Sequence, residues 1–383
     1  MVESTTPKTV YNFSAGPCCL PRPVLEQAAA DLVDYKGLGM SVMEMSHRGK
    51  AFTTIAEKCR SDLKELLAIP DNFTIFMFQG GASLQFAAIC YNLLEDGERQ
   101  SANYLTTGTW SQGAIKEANK YCNANEVACN KASGYSNLAE PADWNVKQDA
   151  DTKFFHYCDN ETIQGFEFGI GEFPHDKVPA GQTLVSDMSS NFCTKPIEWE
   201  KYGVVYAGAQ KNVGPSGLTF VIVRNDLIAG HRADTPLLCD WETFSKAANT
   251  FHNTPSCWPI YMCGLNVAYM LEQGGLPAMQ AKAAERSTLL YNYIDASEGY
   301  YVNSVVAKYR SRINIPFRVC KNDALETKFL AECTAANLVD LKGHRSVGGC
   351  RASLYNAMPV EGVHALIAFM TAFKAANPAP AAE

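Results

Sequence analysis

Lys211 stands in the stretch AGAQKNVGPSGLTF, residues 207–220, between the apolar runs YGVVY and FVIV. A lysine held in a Gly-rich turn between two strands has two readings. One is a solvated loop residue. The other is an amine made nucleophilic by burial, which lowers its pKa and suits it to Schiff-base chemistry. Glycines 208, 214 and 217 are expected to let the backbone turn tightly around it. Asp187 closes the upstream run TLVSD. Alone it reads equally as a turn acid, but an acid and a lysine that each end a buried strand point to one cleft.

A third element lies between a strand and a helix. QGGAS, residues 79–83, follows FTIFMF and leads into LQFAAICYNLL. Free backbone N–H groups at such a helix start bind phosphate. Neither G-x-x-x-x-G-K-[ST] nor G-x-G-x-x-G is present, which disfavours a nucleotide P-loop or a dinucleotide site. A lysine, an acid and a phosphate cradle match what pyridoxal phosphate needs: a Schiff-base amine, a partner for the pyridinium and an anion seat.

Strand-like and helical runs alternate through the first two thirds of the chain, which predicts an α/β fold with a mainly parallel central sheet. The expected strand ends carry QGGAS, TTGTW, CDNETIQG, SDMSSN and AGAQKN, and ligands gather at such carboxyl ends. Helices are expected over 24–35 and 51–68. The Pro- and Gly-rich opening, 1–23, reads as an extended arm. The texture changes near Pro259: residues 24–258 read as the large domain, and 259–383 as a smaller α+β unit that packs with the arm.

Composition narrows the function. The chain has 47% apolar and 19% charged residues and a formal charge of −7. No block of basic residues exists to hold nucleic acid or an anionic membrane, and no run nears the roughly 18 apolar residues of a membrane span. The 14 cysteines form no C-x-x-C and the 7 histidines no H-x-x-x-H, so no metal site is expected. The start, MVESTTPKTVYNF, lacks the features of a targeting segment. The expectation is a cytoplasmic protein with reduced thiols.

Longer motifs carry a resemblance. NFSAGP, VMEMSHRGKAF, GGASLQFAA, HYCDNETIQGFEF, SDMSSNF, YAGAQKNVGPSGLTFVIVR, FHNTPSCWPIYM and LKGHRSVGGCRASLYNAMPVEGV span nearly the whole chain. With them the chain resembles the phosphoserine aminotransferase family, fold-type-I pyridoxal phosphate enzymes of the class V aminotransferase group. The resemblance implies amino transfer from glutamate to 3-phosphohydroxypyruvate, giving phosphoserine and 2-oxoglutarate in serine synthesis, by a homodimer with shared active sites. It implies that Lys211 binds the cofactor covalently and moves protons, that Asp187 holds the pyridinium, and that Trp110 stacks on the ring. Thr162 would reach the ring hydroxyl. Gln210, Ala82 and Ser83 would hold the cofactor phosphate, joined by Asn253 and Thr254 from the other subunit. Arg351 would pair with the substrate α-carboxylate. His47 and Arg48 would meet the distal anion, as would His344 and Arg345 from the partner, and Ser14 would touch substrate near the arm.

One departure is visible. The family pattern carries a further Gly and then Arg or Cys where this chain has Ala82 and Ser83, so one distal charge is missing. Other class V activities, such as alanine–glyoxylate transamination or cysteine desulfuration, stay as alternatives, as does a non-catalytic relative. The basic segments SHRGK and GHRSV, and the absence of a Cys in a desulfurase motif, separate the first two from the leading reading. An intact Lys211 and Asp187 oppose the third.

Overall fold

The computed structural model describes residues 9–97 and 99–380. Seven strands form one sheet in the order Phe73–Phe78, Thr219–Arg224, Val204–Gly208, Thr183–Asp187, Thr152–Cys158, Ser101–Thr106 and Asn123–Cys129. Neighbours are parallel except at Thr219–Arg224, which runs antiparallel to both flanking strands. The inner strands are near-continuous apolar runs because both faces of the sheet are covered. Val204–Gly208 is buried throughout. One face packs on Lys50–Leu67 and Cys257–Glu272, the other on Gly81–Leu93, Thr109–Ala118 and the buried Trp241. This is the expected α/β architecture.

A second sheet has three antiparallel strands, Tyr301–Val302, Asn314–Val319 and Cys350–Ser353. Helices Gly275–Asp295, Asp323–Ala335 and Val360–Ala376 close its core around Ile315, Phe317, Phe329 and Leu366. The arm joins this core. Tyr11–Asn12 pairs in parallel with Leu338–Val339, and Phe13 is fully buried beside them.

Several boundaries differ from the sequence reading. The first helix covers Arg22–Ala30 and stops before Tyr35. Asp31 there takes a hydrogen bond from the Tyr261 hydroxyl, and Lys36 adopts the left-handed conformation. The edge strand Asn123–Cys129 was not expected; its sequence, NANEVAC, is half polar and only Val127 is buried. Cys257–Glu272 packs along Lys50–Leu67, so the change of texture near residue 259 falls inside the packing of the larger unit.

Close packing also fixes Gly214. A Cβ there would lie 2.3 Å from Cys263 Sγ on the Cys257–Glu272 helix. Gly214→Ala is therefore expected to cost about 1–3 kcal/mol by overpacking, read by denaturant unfolding. Adding Cys263→Ala should recover part of the loss. Equal stability of Gly214→Ala and the parent would refute this account.

Candidate active site

Parallel strands bring their carboxyl ends to one edge of the sheet. Ser101–Thr106 leads to Trp110, Thr152–Cys158 to Thr162, and Val204–Gly208 to Lys211, while Thr183–Asp187 ends on Asp187 itself. The lysine turn is tied at its base. Ala209 N–H donates to Leu218 O at 3.0 Å and Gly214 N–H to Ala209 O at 2.9 Å. Of its three glycines only Gly217 takes a positive φ, +104°. Crowding demands Gly214, where a Cβ would meet Cys263 Sγ at 2.3 Å and its Cα at 3.4 Å, while a Cβ on Gly208 would meet only the movable end of the Gln210 side chain, 2.8 Å from Oε1.

The Lys211 amine has both aromatic and polar neighbours. Nζ lies 5.4 Å from the Trp110 ring centroid and donates to the Ala15 carbonyl at 3.1 Å. Gly16 borders the same side chain: a Cβ there would sit 3.1 Å from Lys211 Cδ. Burial, reinforced by the Arg351 charge, holds the amine down to about 8, while Asp187 pulls the other way. A useful share of it is therefore unprotonated near neutral pH.

Asp187 is buried, and burial raises its carboxyl above the usual range, opposed by donors from Ser189. Ser189 N–H and Oγ–H reach its Oδ1 at 2.9 and 2.6 Å. Arg351, on Cys350–Ser353, donates from Nη1 to the Thr162 carbonyl at 3.1 Å. His344 is close enough to feel Arg351, Arg345 and Lys211, which add to burial in lowering its pKa. The resemblance assigned His344 to the partner's side of a shared site; here its ring senses charges of its own chain.

Other expected residues lie farther out. Ala82 and Ser83 begin the helix Gly81–Leu93, whose N-terminus has no side-chain cap. Thr254 O and Ser256 Oγ accept from Gln79 Nε2 at 3.5 and 3.1 Å, which sets Asn253–Thr254 beside that helix start. Gln210 is half-buried, and its carbonyl accepts from Cys18 N–H at 2.9 Å. Ser14 is half-buried in the arm segment just before Ala15. His47 and Arg48 precede the helix Lys50–Leu67. Among the described residues no hydrogen bond or ion pair joins them to the Lys211 group, and His47 Nε2 is buried without a partner.

The sequence reading missed Glu161, although it quoted NETIQG for Thr162. Glu161 is fully buried and accepts from Trp110 N–H at 3.0 Å, Ser111 N–H at 2.9 Å and Ser111 Oγ at 2.6 Å. It caps the helix that carries Trp110. Gly108 makes room for it: a Cβ there would meet Glu161 Cδ at 2.5 Å. Burial pushes its carboxyl up to about 7. A folded-state pKa above the unfolded value means that the folded chain binds the extra proton between about 4.5 and 7, so this group's contribution to stability falls as pH rises through that window. In Glu161→Gln, stability against pH from 4.5 to 7 should lose that downward component relative to the parent, as measured by urea unfolding at several pH values. Parallel curves for the two proteins would contradict it.

The model for "Aminotransferase class-V" matches residues 10–366. Phosphoserine aminotransferase 2, chloroplastic, of Arabidopsis thaliana is 48% identical over 366 residues, covering 96% of this chain and 85% of its own. The phosphoserine aminotransferase of Laribacter hongkongensis is 46% identical, with 95% and 98% covered. Among solved structures, phosphoserine aminotransferase from Bacillus circulans subsp. alkalophilus superposes with a TM-score of 0.90 at 41% identity, over 96% of this chain and 99% of that one. The phosphoserine aminotransferase of Trichomonas vaginalis, solved with PLP bound, gives 0.88 at 40%, over 95% and 100%. An alanine–glyoxylate aminotransferase from Nostoc sp. shares the fold, with a TM-score of 0.71, but only 16% identity. With its lysine, acid and tryptophan gathered at one sheet edge, the chain belongs to the class V aminotransferases, and within them to the phosphoserine aminotransferases.

Proposed function

We propose that this cleft carries out reversible amino transfer between glutamate and 3-phosphohydroxypyruvate, giving O-phospho-L-serine and 2-oxoglutarate. The observation that carries the reading is the Lys211 amine, lowered by burial, beside the Trp110 ring and within reach of the Asp187 and Arg351 charges. The residues present fit pyridoxal phosphate. Trp110 Nε1 and Thr107 Oγ1 are buried without a hydrogen-bond partner among the described residues, and both Ser189 bonds to Asp187 fall on one oxygen. The uncapped start of Gly81–Leu93 offers free N–H groups to a phosphate. Bound there, the cofactor supplies an aldehyde for the lysine and an electron sink for the bond being broken.

The chain's own residues then have separable tasks. Lys211 Nζ would be the covalent anchor and, once released, the base that takes the proton from the substrate α-carbon and the acid that gives it to the cofactor's aldehyde-derived carbon. Asp187 would keep a negative charge for the ring nitrogen. Trp110 would cover the ring, and Thr162, Gln210, Ala82 and Ser83, joined by Asn253 and Thr254 of the partner subunit, would hold the cofactor's polar groups. Arg351 pairs with the α-carboxylate and so fixes the α-carbon over the lysine. His47, Arg48, His344 and Arg345 meet the distal phosphate or γ-carboxylate, and Ser14 closes the arm side.

We propose a homodimer as the working form. Leu32, Val33, Leu38, Met40 and Met43 are exposed in the segment that leads directly to His47 and Arg48. A second copy seated on that segment would cover them and carry both basic residues toward a neighbouring cleft. We also propose the division into the arm 1–23, a large unit 24–258 and a small unit 259–383, with Cys257–Glu272 remaining packed on the large unit. A cytoplasmic setting accords with unpaired thiols at all 14 cysteines. No helix among the described residues is long and apolar enough to cross a membrane.

Mixing the purified protein with phosphoserine and 2-oxoglutarate should produce glutamate, and Lys211→Ala should lower that rate by several orders of magnitude. No glutamate from the parent protein would reject the assignment. Ser83 is exposed on the first turn of its helix, and four basic residues, His47, Arg48, His344 and Arg345, remain for the distal anion. Ser83→Arg is therefore expected to change KM for phosphoserine by less than tenfold, with KM for glutamate as the control. A tenfold or larger change confined to phosphoserine would show that the missing charge matters.

A further inference from the structure

The helix that carries Trp110 begins with none of its first N–H groups free. Thr107 N–H and Gly108 N–H donate to Ser111 Oγ at 2.9 and 3.1 Å. Thr109 N–H donates to Gln164 Oε1 at 3.0 Å. Trp110 N–H goes to one Glu161 oxygen and Ser111 N–H to the other. The regular helix pattern takes over at Gln112 N–H, which reaches Gly108 O at 3.1 Å. A helix start usually leaves such donors to water or to a single cap. Here side chains take five in a row, from Thr107 to Ser111.

Glu161 and Gln164 reach this helix from one tight hairpin. Asn160–Glu161 pairs antiparallel with Phe166–Glu167, and Gly165 N–H closes the turn on Glu161 O at 2.8 Å. The hairpin is held from the far side as well. Thr162 O accepts from Arg351 Nη1, and Gly165 O accepts from Ser311 N–H at 2.9 Å. Gly165 has φ +71°, and a Cβ on it would lie 2.3 Å from Pro316 Cδ. Gln164 grips Thr109 twice, because its Nε2 also donates to Thr109 Oγ1 at 2.7 Å. A Cβ on Gly108 would lie 2.5 Å from Glu161 Cδ and 2.7 Å from Gln164 Oε1, so the contact is close along its length.

Proton counting fixes what the Glu161 position must be. Ser111 Oγ has two lone pairs, and the N–H groups of Thr107 and Gly108 occupy both. Its single proton is left for Glu161 Oε1 at 2.6 Å, in preference to Gly108 O at 3.2 Å. All three hydrogen bonds to the Glu161 side chain therefore come from donors. A carboxylate accepts all three. A carboxamide would set an N–H against an N–H.

We propose that Glu161 and Gln164 are positioning residues for the reaction, which hold the first turn of this helix so that the Trp110 ring keeps one place over the cofactor. Trp110 is the second residue of Thr109–Ala118, where an unsupported helix frays. Its ring centroid lies 5.4 Å from Lys211 Nζ, and it can keep that place only if the turn beneath it does. The saturated start also has no N–H to offer an anion, which leaves a phosphate to the uncapped start of Gly81–Leu93. The inference rests on the cofactor reading above, while the clamp belongs to the protein alone.

Two variants test it. Gln164→Met keeps the bulk and loses both bonds to Thr109. Glu161→Gln keeps the shape and loses the charge. In cofactor-free protein, hydrogen–deuterium exchange read by mass spectrometry should be about tenfold faster over residues 107–112 in each variant, as expected for a lost hydrogen bond. Parental exchange over residues 204–208 serves as the control for folding. Titrated with pyridoxal phosphate, each variant should bind about tenfold more weakly, and the visible circular dichroism of the bound cofactor should weaken. KM for phosphoserine should stay near the parental value, because Arg351 keeps its Thr162 carbonyl. Parental exchange over residues 107–112 in either folded variant would refute the clamp. Faster exchange with parental cofactor affinity and dichroism would overturn the positioning role. If the parent itself failed to bind pyridoxal phosphate, the cofactor reading and the positioning role would fall together, while the exchange rates would still decide the clamp.

Discussion

The proton occupancy of Lys211 is decided by a difference between opposing forces, and the surrounding structure is arranged to hold that difference steady. Burial and the Arg351 charge lower the amine, while Asp187 raises it. Each partner is fixed by a separate element. Asp187 ends an inner strand, Arg351 sits on the second sheet, and the arm offers the Ala15 carbonyl. An error of an ångström in any of them would shift the balance, because charges separated by so little in a poorly solvated cleft interact strongly. This accords with the amount of buried polarity around the lysine turn.

Two buried networks keep the sheets in register with each other. In the first, Asn160 Nδ2 donates to Ser190 Oγ and Asn314 Oδ1, both at 2.8 Å, and Asn314 Nδ2 donates to Ser353 Oγ at 3.0 Å and Tyr355 Oη at 3.3 Å. Tyr355 in turn donates to Ala15 O at 2.7 Å, the carbonyl that receives Lys211. In the second, Lys195 pairs with Asp159 and Arg312 with Glu167, each at 2.7 Å, and Asn191 bridges the two acids. Buried ion pairs of this kind add little net stability against an apolar substitute, but losing one member is costly because its partner is left charged and unpaired. Their effect is to permit only one relative placement of strand ends, small sheet and arm.

Much of this was legible in the sequence, for physical reasons. Inner strands such as FTIFMF and TFVIVR carry β-branched and aromatic runs that have no other place to go. Lys211 and Asp187 stood out because ionisable residues ending such runs conflict with their surroundings. Asn123–Cys129 was not legible: an edge strand exposes one side and its polar composition imitates a loop. Glu161 was hidden for the opposite reason. It lies inside a motif noted for a neighbour, and a buried side chain that satisfies backbone and hydroxyl donors leaves no periodic trace. Gly208 and Gly214 were noticed for the wrong property. Gly214 is small to make room for Cys263, and neither needs left-handed backbone.

The antiparallel strand Thr219–Arg224 has a further consequence. In a parallel arrangement the lysine segment would enter a helical crossover and inherit the mobility of a long connection. Here it turns back at once into the strand beside the one it left, so both ends of the loop are clamped by adjacent ladders. Its closure entropy is lost when the sheet forms and is not incurred again at each turnover. In the proposed reaction the lysine would work as a short arm on a fixed bracket: covalent bonding to a ligand and release from it would be absorbed by side-chain torsions, leaving the main chain where the sheet put it.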